Sequence, residues 1–404
     1  QSLTAAAEIR LTQAREPAWL RDARTAALAS VRADGLPTPR IEAWKYTAIR
    51  ALEARTFVPV DELKRLDVDA ALLPGAAARL VFVNGVLRAD LSRLDTLPAG
   101  VTLAPLSAAL GGGDIALRFF LARRFDDRGD AFARLNTALA AEGAVLRVAN
   151  GVKVVEPIEI VSIGAPVGTD VAWQLRHLIE LGEDSALVLV ERHLATAPHA
   201  NLGNVFVQLR LRAGASLRLV QLQDESGTAS LIRRSELELD ADACAELTTL
   251  ELGAAFARHD LVARLGGDRA RIVSRGCFAL SGRQHGDTHI NVRHAARRTG
   301  CDLLWRGIAD GRARGVFHGA IRIDSGADGA DARLSNKNLL LSPQAEIDTQ
   351  PVLEIHADEV QASHGATVGQ LDAHALFYLR SRGVPQSEAR ALLTYAFCRE
   401  TLDA

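Results

Sequence analysis

The feature that most constrains this chain is a repeat in outline. Between Ala144 and Thr367, short aliphatic runs recur about every 25 to 30 residues, each introduced by a turn residue and a small residue. The segments beginning at Asp184, Gly214, Asp242 and Gly267 show it, ending in Val190, Val220, Leu250 and Val273. Within them apolar and polar residues alternate with the period of two of a strand, and nothing in the span carries helical period. The spacing predicts strands of about four to eight residues, one strand–turn unit per repeat. Such units can stack into a β-solenoid or fold into a sandwich of antiparallel sheets, and the pattern leaves both open. Aromatic residues are only 5% of the chain, so in either case Leu, Val, Ile and Ala must fill the core.

The flanks obey a different period. Residues 1 to about 35 are expected to be helical, with Leu20, Ala23, Ala27, Leu28 and Val31 on one face and Gly35 closing the helix. Trp44–Leu52 predicts a second short helix. Leu80–Val83, Asn84-Gly85 and Val86-Leu87 predict a hairpin, because Asn-Gly supplies the positive φ angles of a type I′ turn. Two further helices are expected near Asp114–Phe125 and Asp130–Glu142, the second with Asp130 as N-cap and Gly143 as stop. After Asp372 helical period returns. One helix carries Leu376, Phe377, Tyr378, Arg380 and Arg382 and ends at Gly383; another, near Ser387–Leu402, places Ala389, Leu392, Ala396 and Phe397 on one side. The expected organisation is a mostly helical unit over 1–142, a β core over 144–367 and a helical segment over 368–404.

Several function classes are excluded or weakened. A P-loop needs a lysine after glycine so that backbone amides and the ammonium cradle phosphate, and none of Lys45, Lys64, Lys153 and Lys337 follows a glycine. Gly-x-Gly-x-x-Gly is absent too. A net charge of −2 provides no overall attraction to nucleic acid or an anionic membrane. No apolar run approaches the ~20 residues of a membrane span. The first thirty residues lack the apolar block of a signal peptide. Cys244, Cys277, Cys301 and Cys398 form no CxxC pair and read as reduced, small hydrophobes of a cytoplasmic protein. Asp324, Asp328 and Asp331 miss the EF-hand spacing and read as a solvated acidic turn. His285, Asp287 and His289 share one strand face, as a metal or proton-relay stripe or, more commonly, a solvated face.

Residues 334–372, LSNKNLLLSPQAEIDTQPVLEIHADEVQASHGATVGQLD, with ALFYLRSRG at 375–383, resemble the C-terminal signature of the SufB/SufD family of iron–sulfur cluster assembly proteins. The segment Glu42-Ala43-Trp44-Lys45-Tyr46-Thr47 adds a weaker upstream likeness. Gly365 after His364 is similar to the SufD branch, where the SufB branch typically has glutamate. The resemblance implies a right-handed parallel β-helix and so favours the solenoid. It also implies a non-enzymatic scaffold subunit that pairs with a SufB-like paralogue and a SufC-like ABC ATPase, with a homodimer when isolated. Iron or an iron–sulfur cluster is then a transient cargo of the complex, and none is tightly bound to the isolated chain. His364 is the implied metal ligand, in a turn at the end of the β stack, in a site shared with the partner. Some relatives carry cysteine two residues earlier, where this chain has Ala362, so no role for that thiol carries over. The resemblance places the SufC contact on Leu376, Phe377, Tyr378, Arg380 and Arg382, while residue pattern alone would equally make these helices a cap on the open end of the solenoid. The competing function class is a cytoplasmic β-helix carbohydrate-active enzyme. Its candidate carboxylates, Glu236, Glu238 and Asp240, alternate with apolar residues as solvated strand faces do.

Overall fold

A computed structural model describes residues 16–60, 68, 73, 75 and 78–402. Sixteen strands follow one another from Ala144 to Gly369 with no helix between them. Odd-numbered strands build one sheet: β5 (Ala144–Val148), β7 (Val171–Leu181), β9 (Leu202–Leu211), β11 (Ser230–Leu239), β13 (Phe256–Leu265), β15 (His285–His294), β17 (Arg314–Ile323) and β19 (Glu346–Ile355). Even-numbered strands build the other: β6 (Lys153–Gly164), β8 (Ala186–Ala195), β10 (Ser216–Asp224), β12 (Cys244–Glu251), β14 (Arg271–Leu280), β16 (Gly300–Ala309), β18 (Asp331–Leu340) and β20 (Gln361–Gly369). From β7 to β18 each strand pairs in parallel with the strands two before and two after it. The result is a parallel β-solenoid with two strands per turn, hence eight turns, and the sandwich is ruled out.

The repeat is larger than its sequence outline. Most strands run to ten residues rather than four to eight. The four segments that reveal the period become β8, β10, β12 and β14, four consecutive rungs of one sheet. The second strand of each turn lies between them, so the repeat contains two strand units, not one. The turns before these interleaved strands vary, so no common outline marks them in the sequence.

The turn that precedes the even strands from β8 to β18 is built the same way each time. Two residues before β8, β10, β12, β14, β16 and β18 stand Asp184, Gly214, Asp242, Arg269, Arg298 and Gly329, all with φ between +53° and +75°. One residue before the same strands stand Ser185, Ala215, Ala243, Ala270, Thr299 and Ala330, each at most 1% exposed. The left-handed residue reverses the chain, and a small side chain then fits inside the corner. Beyond the corner, aliphatic residues from both sheets stack in rows along the solenoid and form one continuous core.

The first 142 residues supply both helices and strands. The helix Ala18–Asp34 ends at Gly35, φ +74°, as expected; the first fifteen residues of that expectation lie outside the described residues. The hairpin forms as predicted between β2 (Arg79–Val83) and β3 (Val86–Leu87), with Asn84 and Gly85 at φ +46° and +78°. β2 then pairs in parallel with β6, and a further strand, Val101–Pro105, pairs antiparallel with β5, so both sheets extend past the first turn of the solenoid. Two expected helices are shorter than predicted, at Leu117–Leu121 and Ala131–Leu139. Asp130 makes no side-chain cap, and the second helix stops at Leu139 rather than at Gly143. Trp44–Leu52 is not one helix but a single 3-10 turn, Glu42–Trp44, and the short helix Arg50–Glu53.

The left-handed corner yields a test. Gly329→Ala places a Cβ at φ +75°, 3.1 Å from the Arg298 side chain, and is expected to cost about 1–2 kcal/mol, read as a lower urea midpoint. Gly365→Ala, where nothing lies within 4 Å of the added Cβ, should leave the midpoint unchanged.

Candidate functional site at the open end of the solenoid

The last rung continues the parallel register of the others but, among the described residues, pairs on one side alone. β20 pairs only with β18 and β19 only with β17. His364 therefore lies in a strand, not in a turn as expected. Its register explains its position. Leu189, Leu219, Leu247, Ser274, Leu303 and Leu334 stand opposite one another in successive rungs, and the row ends in His364. The earlier members of that row are buried, whereas His364 is exposed. Ala362, on the same side of β20, still packs against the core. The histidine thus points where a core residue would point if one more rung followed. On the same two end strands Val368 and Ile355 are 43% and 42% exposed. His364 makes no side-chain hydrogen bond among the described residues. No group of three or more His, Cys, Asp or Glu that could hold a metal exists among them either.

The C-terminal helices do not close this end. Gln386–Leu402 lies on the outer face of β14 and β16, where Cys277, Ile308 and Cys398 form a small cluster with Phe397 beside it. Arg306 pairs with Glu400 at 2.6 Å, and Arg390 donates to the carbonyl of Leu341 at 2.7 Å. The capping expectation is therefore corrected. The buried residues are Ala389, Cys398 and Thr401, while Leu392, expected beside Ala389, is 48% exposed. The contact stripe is too narrow to include it. The preceding helix, Ala373–Ser381, is N-capped by Asp372, whose carboxylate accepts from the amides of His374 and Ala375. It buries no residue. Phe377 and Tyr378 are 70% and 57% exposed; Arg380 and Arg382 are exposed too, Arg382 lying over the Tyr378 ring, and Leu376 is half-buried.

The sequence profile of the SUF system FeS cluster assembly, SufBD core domain matches residues 165–397, and that of the SufBD protein N-terminal region matches residues 6–160. The chain belongs to the SufBD family. It is 30% identical over 380 residues to an iron–sulfur cluster assembly SufBD family protein of Synechocystis, covering 91% of this chain and 83% of the relative. It is 29% identical to the iron–sulfur cluster assembly protein SufD of Escherichia coli, over 92% of this chain and 85% of that protein. With SufD of Bacillus subtilis the identity is 25%, over 95% and 89% of the two chains. The chain is thus a SufD-like member of the iron–sulfur assembly family.

The remaining motifs of this SufBD chain serve the fold. His285, Asp287 and His289 do share one face of β15, but the face is covered rather than solvated. Thr47 donates to Asp287 Oδ2 at 2.6 Å and accepts from His285 Nε2 at 3.0 Å. Arg258 pairs with the same carboxylate and lies over the Trp44 ring, and Trp44 donates to the carbonyl of Gly129 at 3.0 Å. The stripe thus pins the Glu42–Thr47 segment to the outside of the solenoid. Burial pushes the Asp287 carboxyl up, but Arg258, His289 and Thr47 overcome that and hold it below the usual carboxylate range. Glu236 is buried too and pairs with Arg123 and Arg234, so it is not the solvated carboxylate expected. It lines a groove of about 730 Å³ beside the helix Leu117–Leu121, where two arginines already neutralise it. Asp324 is held between Arg293 and Arg322. No described helix is long and apolar enough to cross a membrane.

Sequence reasoning missed a chain of polar groups inside the solenoid. Glu191 bonds His193 and Gln221, and Arg233 reaches Gln221 and His259, which in turn bonds Glu251. All six are buried. The available signal was parity: Arg233 and His259 occupy positions where the strand alternation calls for an apolar residue.

Asp287→Ala leaves Arg258 with Asp260 as its one remaining carboxylate among the described residues and Thr47 without its acceptor, and is expected to cost about 1–3 kcal/mol, measured by urea unfolding at pH 7. The folded carboxyl is held low, so its contribution is complete above the unfolded value of ~3.9 and fades as pH falls below it. The difference between variant and wild type should therefore shrink as pH drops under ~3.9.

Proposed function

We propose that this chain is a non-enzymatic scaffold subunit of iron–sulfur cluster assembly. In this reading it pairs end to end with a SufB-like paralogue and carries an ABC-type, SufC-like ATPase on its C-terminal helices. The observation that carries the reading is the last rung, paired on one side alone, where a row of core leucines terminates in an exposed histidine beside unpaired strand edges. An edge of this kind either pairs with another chain or aggregates, and a second solenoid offers the matching backbone ladder. Pairing would bury His364 against the partner. A neutral imidazole is a borderline ligand suited to ferrous iron, and one histidine cannot hold iron alone. The partner would supply thiolate or carboxylate, and the iron is cargo passing through the shared site. Lacking a phosphate-binding loop, the chain leaves ATP hydrolysis to its partner. The exposed aromatic pair of the Ala373–Ser381 helix, flanked by Arg380 and Arg382, supports its assignment as the ATPase contact.

Anaerobic co-purification with the products of neighbouring genes tests the assembly. His364→Ala should leave fold and complex intact while iron per complex falls several-fold. Equal iron in the mutant and wild-type complexes would return His364 to a structural role. Recovery of only a homodimer joined through β19 and β20 would overturn the paralogue pairing.

A double substitution, Phe377→Glu with Tyr378→Glu, should abolish association with the ATPase. Because the helix buries nothing, the unfolding free energy from urea titration should stay within about 0.5 kcal/mol of wild type. Retained association would remove this helix from the interface.

A further inference from the structure

Two cysteines 121 residues apart in sequence meet beneath the last helix. Cys277 is on the outer face of β14 and Cys398 on the helix Gln386–Leu402, and their Sγ atoms are 2.8 Å apart. That separation lies between the ~2.05 Å of a disulfide and an ordinary sulfur–sulfur contact. The pair is 1% and 8% exposed, yet it forms part of the lining of an open groove of about 450 Å³ between helix and sheet, with Leu250, Ile308, Leu341 and Tyr395. A small oxidant can therefore enter. Among the described residues the helix also packs through Ala389, Thr401 and Phe397 and is held by the Arg306–Glu400 pair and the Arg390 bond to Leu341. Its outer face, with Leu392 and Tyr395 48% and 60% exposed, is bare. A C-terminal segment packed along one narrow stripe belongs to the parts of a fold that open first.

We propose that Cys277 and Cys398 are a redox-active dithiol that closes to an intramolecular disulfide under peroxide and fastens the C-terminal helix to the solenoid. Cys398 is the attacking thiol. The hydrogen bond from Cys277 holds it below the ordinary thiol value, with Arg306 acting the same way, while that bond and burial push Cys277 up. The Cys398 thiolate attacks one oxygen of hydrogen peroxide. The O–O bond breaks and hydroxide leaves, taking up a proton as water, and Cys398 becomes a sulfenic acid. Cys277 then attacks that sulfur. The S–O bond breaks, and the departing hydroxide takes the Cys277 proton to form a second water. Two thiols are oxidised, one peroxide is reduced, and two waters result. The other cysteines are not so placed. Cys301 is enclosed in the core beside His294, with its thiol pushed up to about 12 by burial, and Cys244 is half-buried with no thiol neighbour among the described residues.

The test uses the full-length chain alone, so it stands apart from partner docking. After reduction and treatment with one equivalent of hydrogen peroxide, the mass should fall by two hydrogens. A non-reducing peptide map should link Cys277 to Cys398, and dithiothreitol should reverse both changes. Amide exchange in the helix Gln386–Leu402 should slow about tenfold on oxidation, since the crosslink removes its local opening. Cys277→Ala and Cys398→Ala should each abolish link and protection, whereas Cys244→Ala should retain both. Two thiols still open to alkylation after peroxide, oxidation only to sulfinic acid, or a link without slower exchange would each overturn the proposal.

Discussion

The structure depends on the parallel backbone ladder that joins each strand to the one a full turn later. Partners lie 26 to 33 residues apart in sequence, as in Ser230↔Phe256 and Val145↔Leu178, yet about 4.8 Å apart in space. The ladder fixes register residue by residue, and register puts like positions in rows. A fully buried leucine contributes about 1.5–3 kcal/mol, so a row of them supplies much of the cohesion between turns. Stability of this kind is passed from neighbour to neighbour, and each turn needs one on both sides.

That requirement makes the ends of the stack the informative places. At the first end β2, β3 and the strand Val101–Pro105 extend both sheets. At the last, β19 and β20 keep their outer backbone groups unpaired and their core row unfinished. The last helix could have folded over this end but lies instead on the flank of β14 and β16. An unfinished core with a histidine in it is consistent with a surface meant for another chain, and it is why the functional reading rests on the end of the solenoid rather than on a pocket in its wall.

Polar chemistry is used elsewhere to attach what the core does not hold. The stripe of His285, Asp287 and His289, with Arg258, captures Thr47 and Trp44 on the outside of one sheet. On the other, Arg306 with Glu400 and the Cys277–Cys398 contact hold the final helix. Buried charges in such places contribute little net stability over apolar replacements, but losing one partner is costly. The attachments are thus specific rather than strong.

Much of the fold was legible in the sequence because its information is local. Alternation identifies strands, the Asn84-Gly85 pair identifies a hairpin, and Asp184, Gly214 and Asp242 mark corners whose left-handed backbone favours Gly and Asp. The C-terminal signature placed the chain in its family and singled out His364. What local pattern could not convey is which residues meet. The second strand of each turn, the burial of Asp287 and Glu236, the polar chain through Arg233, and the pairing of Cys277 with Cys398 all depend on contacts between segments far apart in the chain. His364 itself shows the division. Its sequence neighbours suggested a turn, whereas its place at the end of a leucine row follows from the register of seven stacked strands, which exists only once every turn has been laid on the one before.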